Sequence, residues 1–82
     1  MSNVNQWASL AEGEEIEYRI ELVEGEAYSA YSIAESVGGI CTYTNSVRGV
    51  YDVAFIKVPS EQREAVEKLM DEDDRVVSYS ER

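Results

Sequence analysis

Hydrophobic and charged residues alternate from Glu15 to Val23. Ile16, Tyr18, Ile20 and Leu22 share one face, and Glu15, Glu17, Arg19 and Glu21 share the other. A two-residue period predicts a β-strand with one face buried and one solvated. Upstream, Val4, Trp7, Ala8 and Ala11 recur at helical spacing, so a short helix is expected over residues 3–11, with Ser2 or Asn3 as N-cap. After the Glu24-Gly25-Glu26 turn, the stripe Ala27, Ala30, Ile33 or Ala34, and Val37 predicts a second helix over 27–37. Gly38-Gly39 supplies its stop, because glycine takes the left-handed conformation without a Cβ clash.

The second half reads in the same way. Residues 40–44 and 50–58 are β-rich, and residues 45–49 between them read as a hairpin loop. Pro59 cannot donate to a sheet ladder and ends the second run. Ser60 is then the expected N-cap of a helix over 61–70, with Val66, Leu69 and Met70 as its buried stripe. The acids Asp71 to Asp74 are expected to break it, since negative charge opposes the helix dipole at that end. A last strand follows over 75–80.

The order after the first helix is β-α-β-β-α-β. It predicts an α+β domain of the ferredoxin-like type, a four-stranded antiparallel sheet with two helices on one face. The chain of 82 residues has room for a single domain, with residues 1–13 as a helical extension and 15–80 as the core.

Charge changes this picture most. Seventeen Asp and Glu face seven Lys and Arg with no histidine, a net charge of −10. Direct binding to nucleic acid or to an anionic membrane is disfavoured, because both need cations. An apolar share of 44% is too high for an acidic disordered tail. Many carboxylates with few lysines also fit a domain adapted to high salt with no charge-reading partner. The single cysteine, Cys41, excludes an intrachain disulfide and fits a reducing compartment, so a cytoplasmic location is expected. No signal peptide and no membrane span are expected.

Little here predicts catalysis. Without histidine the usual base near neutral pH is missing. Cys41 has no such partner and falls in an expected strand. No metal-ligand set or phosphate cradle has the right spacing, so neither a catalytic residue nor a cofactor nor a metal is expected. The unusual stretch is 12–26, where Glu12, Glu14, Glu15, Glu17, Glu21, Glu24 and Glu26 are opposed only by Arg19. On a strand, alternate residues stand about 6.6 Å apart. The glutamates at 15, 17 and 21 would form a row on the open face of the first strand, spaced like phosphates along a nucleic-acid strand. If Ala54, Ile56 and Val58 point to the helices, Tyr51, Val53 and Phe55 join that row. The expected partner-binding set is Glu15, Glu17, Glu21, Glu24, Glu26, Tyr51, Asp52 and Phe55, facing a protein with a basic surface. The chain itself would be a monomer or a small homo-oligomer.

Four motifs resemble the propeptide-type inhibitors of subtilisin proteases: Tyr18-Arg19-Ile20-Glu21-Leu22, Gly38-Gly39-Ile40, Val58-Pro59-Ser60 and the closing run from Asp74 to Glu81. That resemblance implies the same ferredoxin-like fold and, as a second functional reading, inhibition of a subtilisin-type serine protease. In size and charge the chain is similar to the small acidic phage inhibitors that block host defence nucleases by imitating DNA, anti-CRISPR proteins among them. That likeness implies a non-enzymatic protein that occupies a nucleic-acid-binding surface of its partner.

Overall fold

In the computed structural model the alternation of the first strand becomes the centre of the molecule. The structure describes residues 15–82, and the helix expected over 3–11 lies outside them. Strand β1, Glu15–Leu22, buries Tyr18, Ile20 and Leu22 at 1% exposure or less. It pairs antiparallel with β3 (Tyr51–Pro59) on one side and with β4 (Val76–Glu81) on the other. Strand β2, Ile40–Val47, adds to the far side of β3, so the sheet order is β2-β3-β1-β4. Helices α1 (Ser29–Ser36) and α2 (Arg63–Glu72) close one face. Ala30, Ile33, Ala34 and Val37 of the α1 segment and Val66 and Met70 of α2 share a single apolar cluster with the β1 residues and with Ala54, Ile56 and Val58 of β3. The domain is therefore α+β, with a four-stranded antiparallel sheet and two helices in the expected β-α-β-β-α-β order.

Several boundaries differ from the sequence pattern, each for a local reason. Helix α1 begins two residues later than expected, because the N–H groups of Glu26, Ser29, Ala30 and Tyr31 bond the third preceding carbonyl, such as Ser29 N–H to Glu26 O at 2.9 Å. Its end follows the Schellman arrangement. Gly39 N–H reaches Ala34 O at 2.8 Å, Gly38 N–H reaches Glu35 O at 3.2 Å, and Gly38 takes φ 77°. Gly39 serves a different need. A Cβ there would collide with the Lys57 carbonyl oxygen and stand 2.7 Å from Val58 Cγ1. The glycine lets the chain leave α1 directly against β3.

The hairpin loop expected over 45–49 is mostly strand. Pairing continues through Asn45↔Val53 and Ser46↔Asp52 to Val47↔Tyr51, and Val50 N–H closes the turn on Val47 O at 2.9 Å. Polar Asn45 and Ser46 read as loop, but on an edge strand both are exposed and suit a ladder. A register shift between Cys41 and Tyr43 places Tyr43 opposite Phe55.

Helix α2 is preceded by a single 3-10 turn, Ser60–Gln62, and runs through Asp71 and Glu72 instead of stopping before them. The acids are tolerated because two of them are used. Tyr79 Oη donates to Asp71 Oδ1 at 2.8 Å, and Asp73 accepts from the Arg75 backbone and its guanidinium. Leu69, expected in the core, is 36% exposed, and the helix packs through Val66 and Met70 alone. One turn before Asp71, Glu67 accepts from the Tyr18 hydroxyl at 2.6 Å. Two carboxylates at i and i+4 on α2 thus bind two tyrosines of adjacent strands, whose rings meet edge to face at 6.0 Å.

Gly39→Ala is expected to cost about 2 kcal/mol, since backbone must move to admit the methyl group. Gly38→Ala is expected to cost about 1 kcal/mol for its left-handed φ. Denaturant unfolding of the two variants checks the order. The hydrogen bond to Asp71, then burial, push the Tyr79 hydroxyl up from its ordinary 10 to about 12. The proton is held more tightly in the fold, so this stabilisation is complete below pH 10 and is lost as pH rises through about 12. Tyr79→Phe should reduce the alkaline slope of the unfolding midpoint.

Candidate interaction surface

The face of the sheet away from the helices carries Glu15, Glu17, Arg19 and Glu21 on β1. Across the ladder these stand opposite Pro59, Lys57, Phe55 and Val53. The alternation of β3 left two registers open, and the structure takes the one in which Ala54, Ile56 and Val58 are fully buried toward the helices and Phe55 lies half-buried on the open face. Tyr51 lies on the same face, also half-buried.

The row of glutamates is interleaved with cations. Arg19 donates to Glu21 Oε2 at 2.6 Å, and Arg82 Nη1 stands 3.7 Å from Glu17 Oε2. Lys57 faces Glu17 across the ladder. Arg82 N–H also bonds Glu17 O at 2.8 Å, and its guanidinium lies 4.2 Å above the Phe55 ring, within cation–π range. The Phe55 ring is also stacked on Tyr43, with centroids 5.1 Å apart. Hydrogen bonding to Glu21, and then to Tyr51, raises the Arg19 pKa, while the same Arg19 bond holds the Glu21 carboxyl below its usual range. The surface is a central aromatic layer with charges of both signs around it. Like charges in neighbouring sheet positions are unfavourable, and the interleaved cations relieve that repulsion.

The remaining expected residues separate. Glu24 accepts from Gly49 N–H at 2.6 Å and so ties the β1–α1 turn to the hairpin. Glu26 accepts from the Ser29 hydroxyl at 3.5 Å. Asp52 is corrected: at 2% exposure it offers nothing to a partner. Its Oδ2 accepts from Gly25 N–H at 3.0 Å and Ala27 N–H at 2.8 Å, and its Oδ1 is buried without a hydrogen-bond partner among the described residues. It is a structural clamp on the turn that carries Glu24 and Glu26.

Comparison of the chain with family models, with curated proteins and with solved structures finds no match.

Sequence reasoning missed Lys57, Arg82 and Tyr43 on this face. Lys57 was legible, since it continues the alternation from Phe55. Tyr43 was not, because its face depends on the register shift beside Cys41. Cys41 itself is half-buried, donates to Tyr43 O at 3.6 Å, and has its pKa raised by burial. That is the reverse of what an activated thiol needs. Among the described residues no cluster of acids, histidines or cysteines is arranged to hold a metal, and no helix is long and apolar enough to cross a membrane.

Asp52→Ala leaves two backbone donors without their acceptor and should destabilise by about 3 kcal/mol; Asp52→Asn keeps one acceptor oxygen and should cost about 1 kcal/mol. Denaturant midpoints measure both losses. Faster amide exchange at Gly25 and Ala27 in the alanine variant would localise the effect.

Proposed function

We propose that the chain is a non-enzymatic acidic binding protein that occupies a basic, nucleic-acid-binding surface of a partner protein, as DNA-mimicking inhibitors do. One observation carries the reading. Val23 N–H bonds Arg75 O at 2.8 Å, which stitches the turn bearing Glu24 and Glu26 to the loop bearing Asp73 and Asp74. Carboxylates far apart in sequence thereby meet at one end of the sheet. Glu24, Glu72 and Asp74 are exposed there, and Asp73 is the one held in a close ion pair, with Arg75. By contrast Glu17 and Glu21 of the open face are each paired with an arginine. The acidic end supplies long-range attraction to a basic groove, and Tyr51 and Phe55 on the adjoining face supply apolar contact.

Immobilised chain should retain proteins with basic nucleic-acid-binding surfaces at low salt and release them at high salt. Added chain should displace DNA or RNA from those proteins. The double variant Glu26→Lys, Asp74→Lys should weaken retention by about tenfold or more, because it sets like charge against a basic partner. Capture that ignores salt, or captured protein that keeps its nucleic acid in excess chain, overturns the reading. Undiminished binding by the double variant overturns its placement at this end.

A further inference from the structure

Among the described residues the sheet has two edges, β2 and β4, and they are chemically unlike. Strand β4, Val76–Glu81, is the shorter; it follows Asp73, Asp74 and Arg75 and ends on Glu81, which pairs with Arg63. Strand β2 is eight residues long, Ile-Cys-Thr-Tyr-Thr-Asn-Ser-Val, and is the one element among the described residues with no charged side chain. The uncharged run extends over 36–47, between Glu35 and Arg48, in a chain that is 29% charged. Edge strands present unpaired N–H and C=O groups, and proteins ordinarily guard them with Lys, Pro, inward charges or bulges. Here only the first end has a guard, the register shift between Cys41 and Tyr43; pairing with β3 is regular from Tyr43 to Val47. Ile40, Tyr43 and Val47 are exposed along it at 58%, 46% and 36%.

We propose that β2 pairs antiparallel with β2 of a second copy of this chain, giving a twofold dimer with one continuous eight-stranded sheet. Charge selects the occupant. A basic partner would be drawn to exposed carboxylates, yet the charged residues nearest this edge are Arg48, next to it in the chain, Lys57, opposite Ile40, and Asp52, opposite Ser46, whose carboxylate is buried on the turn at Gly25 and Ala27. A second copy brings an equally uncharged strand, so this is the edge along which two chains of charge −10 can meet without opposing acids at the contact. The contact is also self-complementary. With Asn45 opposite its own counterpart, Thr44 faces Ser46 of the second copy and Tyr43 faces Val47 of the second copy. Tyr43, Asn45 and Val47 all lie on the open face, opposite Phe55, Val53 and Tyr51 of β3. The Tyr43–Phe55 stack would thus extend across the axis through an aromatic–aliphatic pair of the kind that stabilises sheets. An isologous pairing uses both β2 edges and closes, leaving, among the described residues, the shorter β4 edges outside.

Sedimentation equilibrium of the full chain over a range of salt and protein concentrations tests this. A dimer should appear and strengthen with added salt, because screening weakens the repulsion between two acidic bodies. That trend is opposite to the one expected for binding a basic partner, so the two readings fail separately. Asn45→Lys should weaken dimerisation by about tenfold or more by opposing two like charges at the axis. Ser46→Lys on the same edge should do likewise, and Val77→Lys on β4 should change little; far-UV circular dichroism confirms that each variant is folded. A monomer at every salt and protein concentration overturns the proposal. So does a dimer that survives both β2 variants, or one lost on Val77→Lys alone.

Discussion

A buried carboxylate on a central strand holds the β1–α1 connection in place. Asp52 sits at 2% exposure on β3, directly across the ladder from Leu22, and receives the N–H groups of Gly25 and Ala27. Those donors precede helix α1, whose capping position, Tyr28, makes no side-chain hydrogen bond of its own. The first turns of a helix leave backbone donors without internal partners, and a buried end must satisfy them elsewhere. Asp52 does so for the approach to the helix from another element. Ala30 and Ala34 of the helix that this turn leads into pack in the core. Burying a carboxylate is costly unless it is hydrogen-bonded, so the turn and the aspartate depend on one another.

The second helix is held by a different device. Its apolar contribution to the core is slight, Val66 and Met70 only. Glu67 and Asp71 make up the difference by accepting the hydroxyls of Tyr18 and Tyr79, hydrogen bonds to charged groups that are stronger than neutral ones. Burial of Tyr18, then its bond to Glu67, pushes that phenol well above the usual tyrosine range. Two residues that add to the net negative charge are therefore fasteners between helix and sheet. This also explains why the helix outruns its expected end: stopping before Asp71 would forfeit the bond to Tyr79.

The β-strands were legible because their two-residue period is strong and their buried faces are continuous: Tyr18, Ile20 and Leu22 on β1, Ala54, Ile56 and Val58 on β3. The Gly38-Gly39 stop was legible too, although only the first glycine acts through its φ. Three things were hidden. The polar pair Asn45-Ser46 looks like loop in isolation, and its strand state comes from β3, whose Val53 and Asp52 offer it a ladder. Asp52 looks like surface charge, since nothing local reveals that its acceptor oxygen meets a turn from the other half of the chain. The open face looked like a row of one sign because Arg82 reaches it only through strand pairing. In each case a contact with another segment decided the outcome, and the pattern of the segment itself carries no record of it.

Those same contacts redistribute the charge of −10. Where positions are close-set and fixed, in the middle of the sheet, each paired glutamate has a guanidinium beside it, Arg19 for Glu21 and Arg82 for Glu17. Where the backbone turns and solvent screens the field, at Glu24, Glu72 and Asp74, carboxylates stand without close ion pairs among the described residues. Along β2 there is no charge at all. Exposed repulsion is cheap in water and expensive in a ladder, so Glu17 and Glu21 keep a cation close by while these exposed carboxylates at one end of the sheet do without. The consequence is directional: an approaching molecule meets strong negative potential at one end of the sheet, a balanced aromatic surface on the open face, and a neutral strand at one edge. A charge-reading partner and a second copy of the chain would accordingly engage different parts of the same small domain, and rising salt would weaken the first contact while favouring the second.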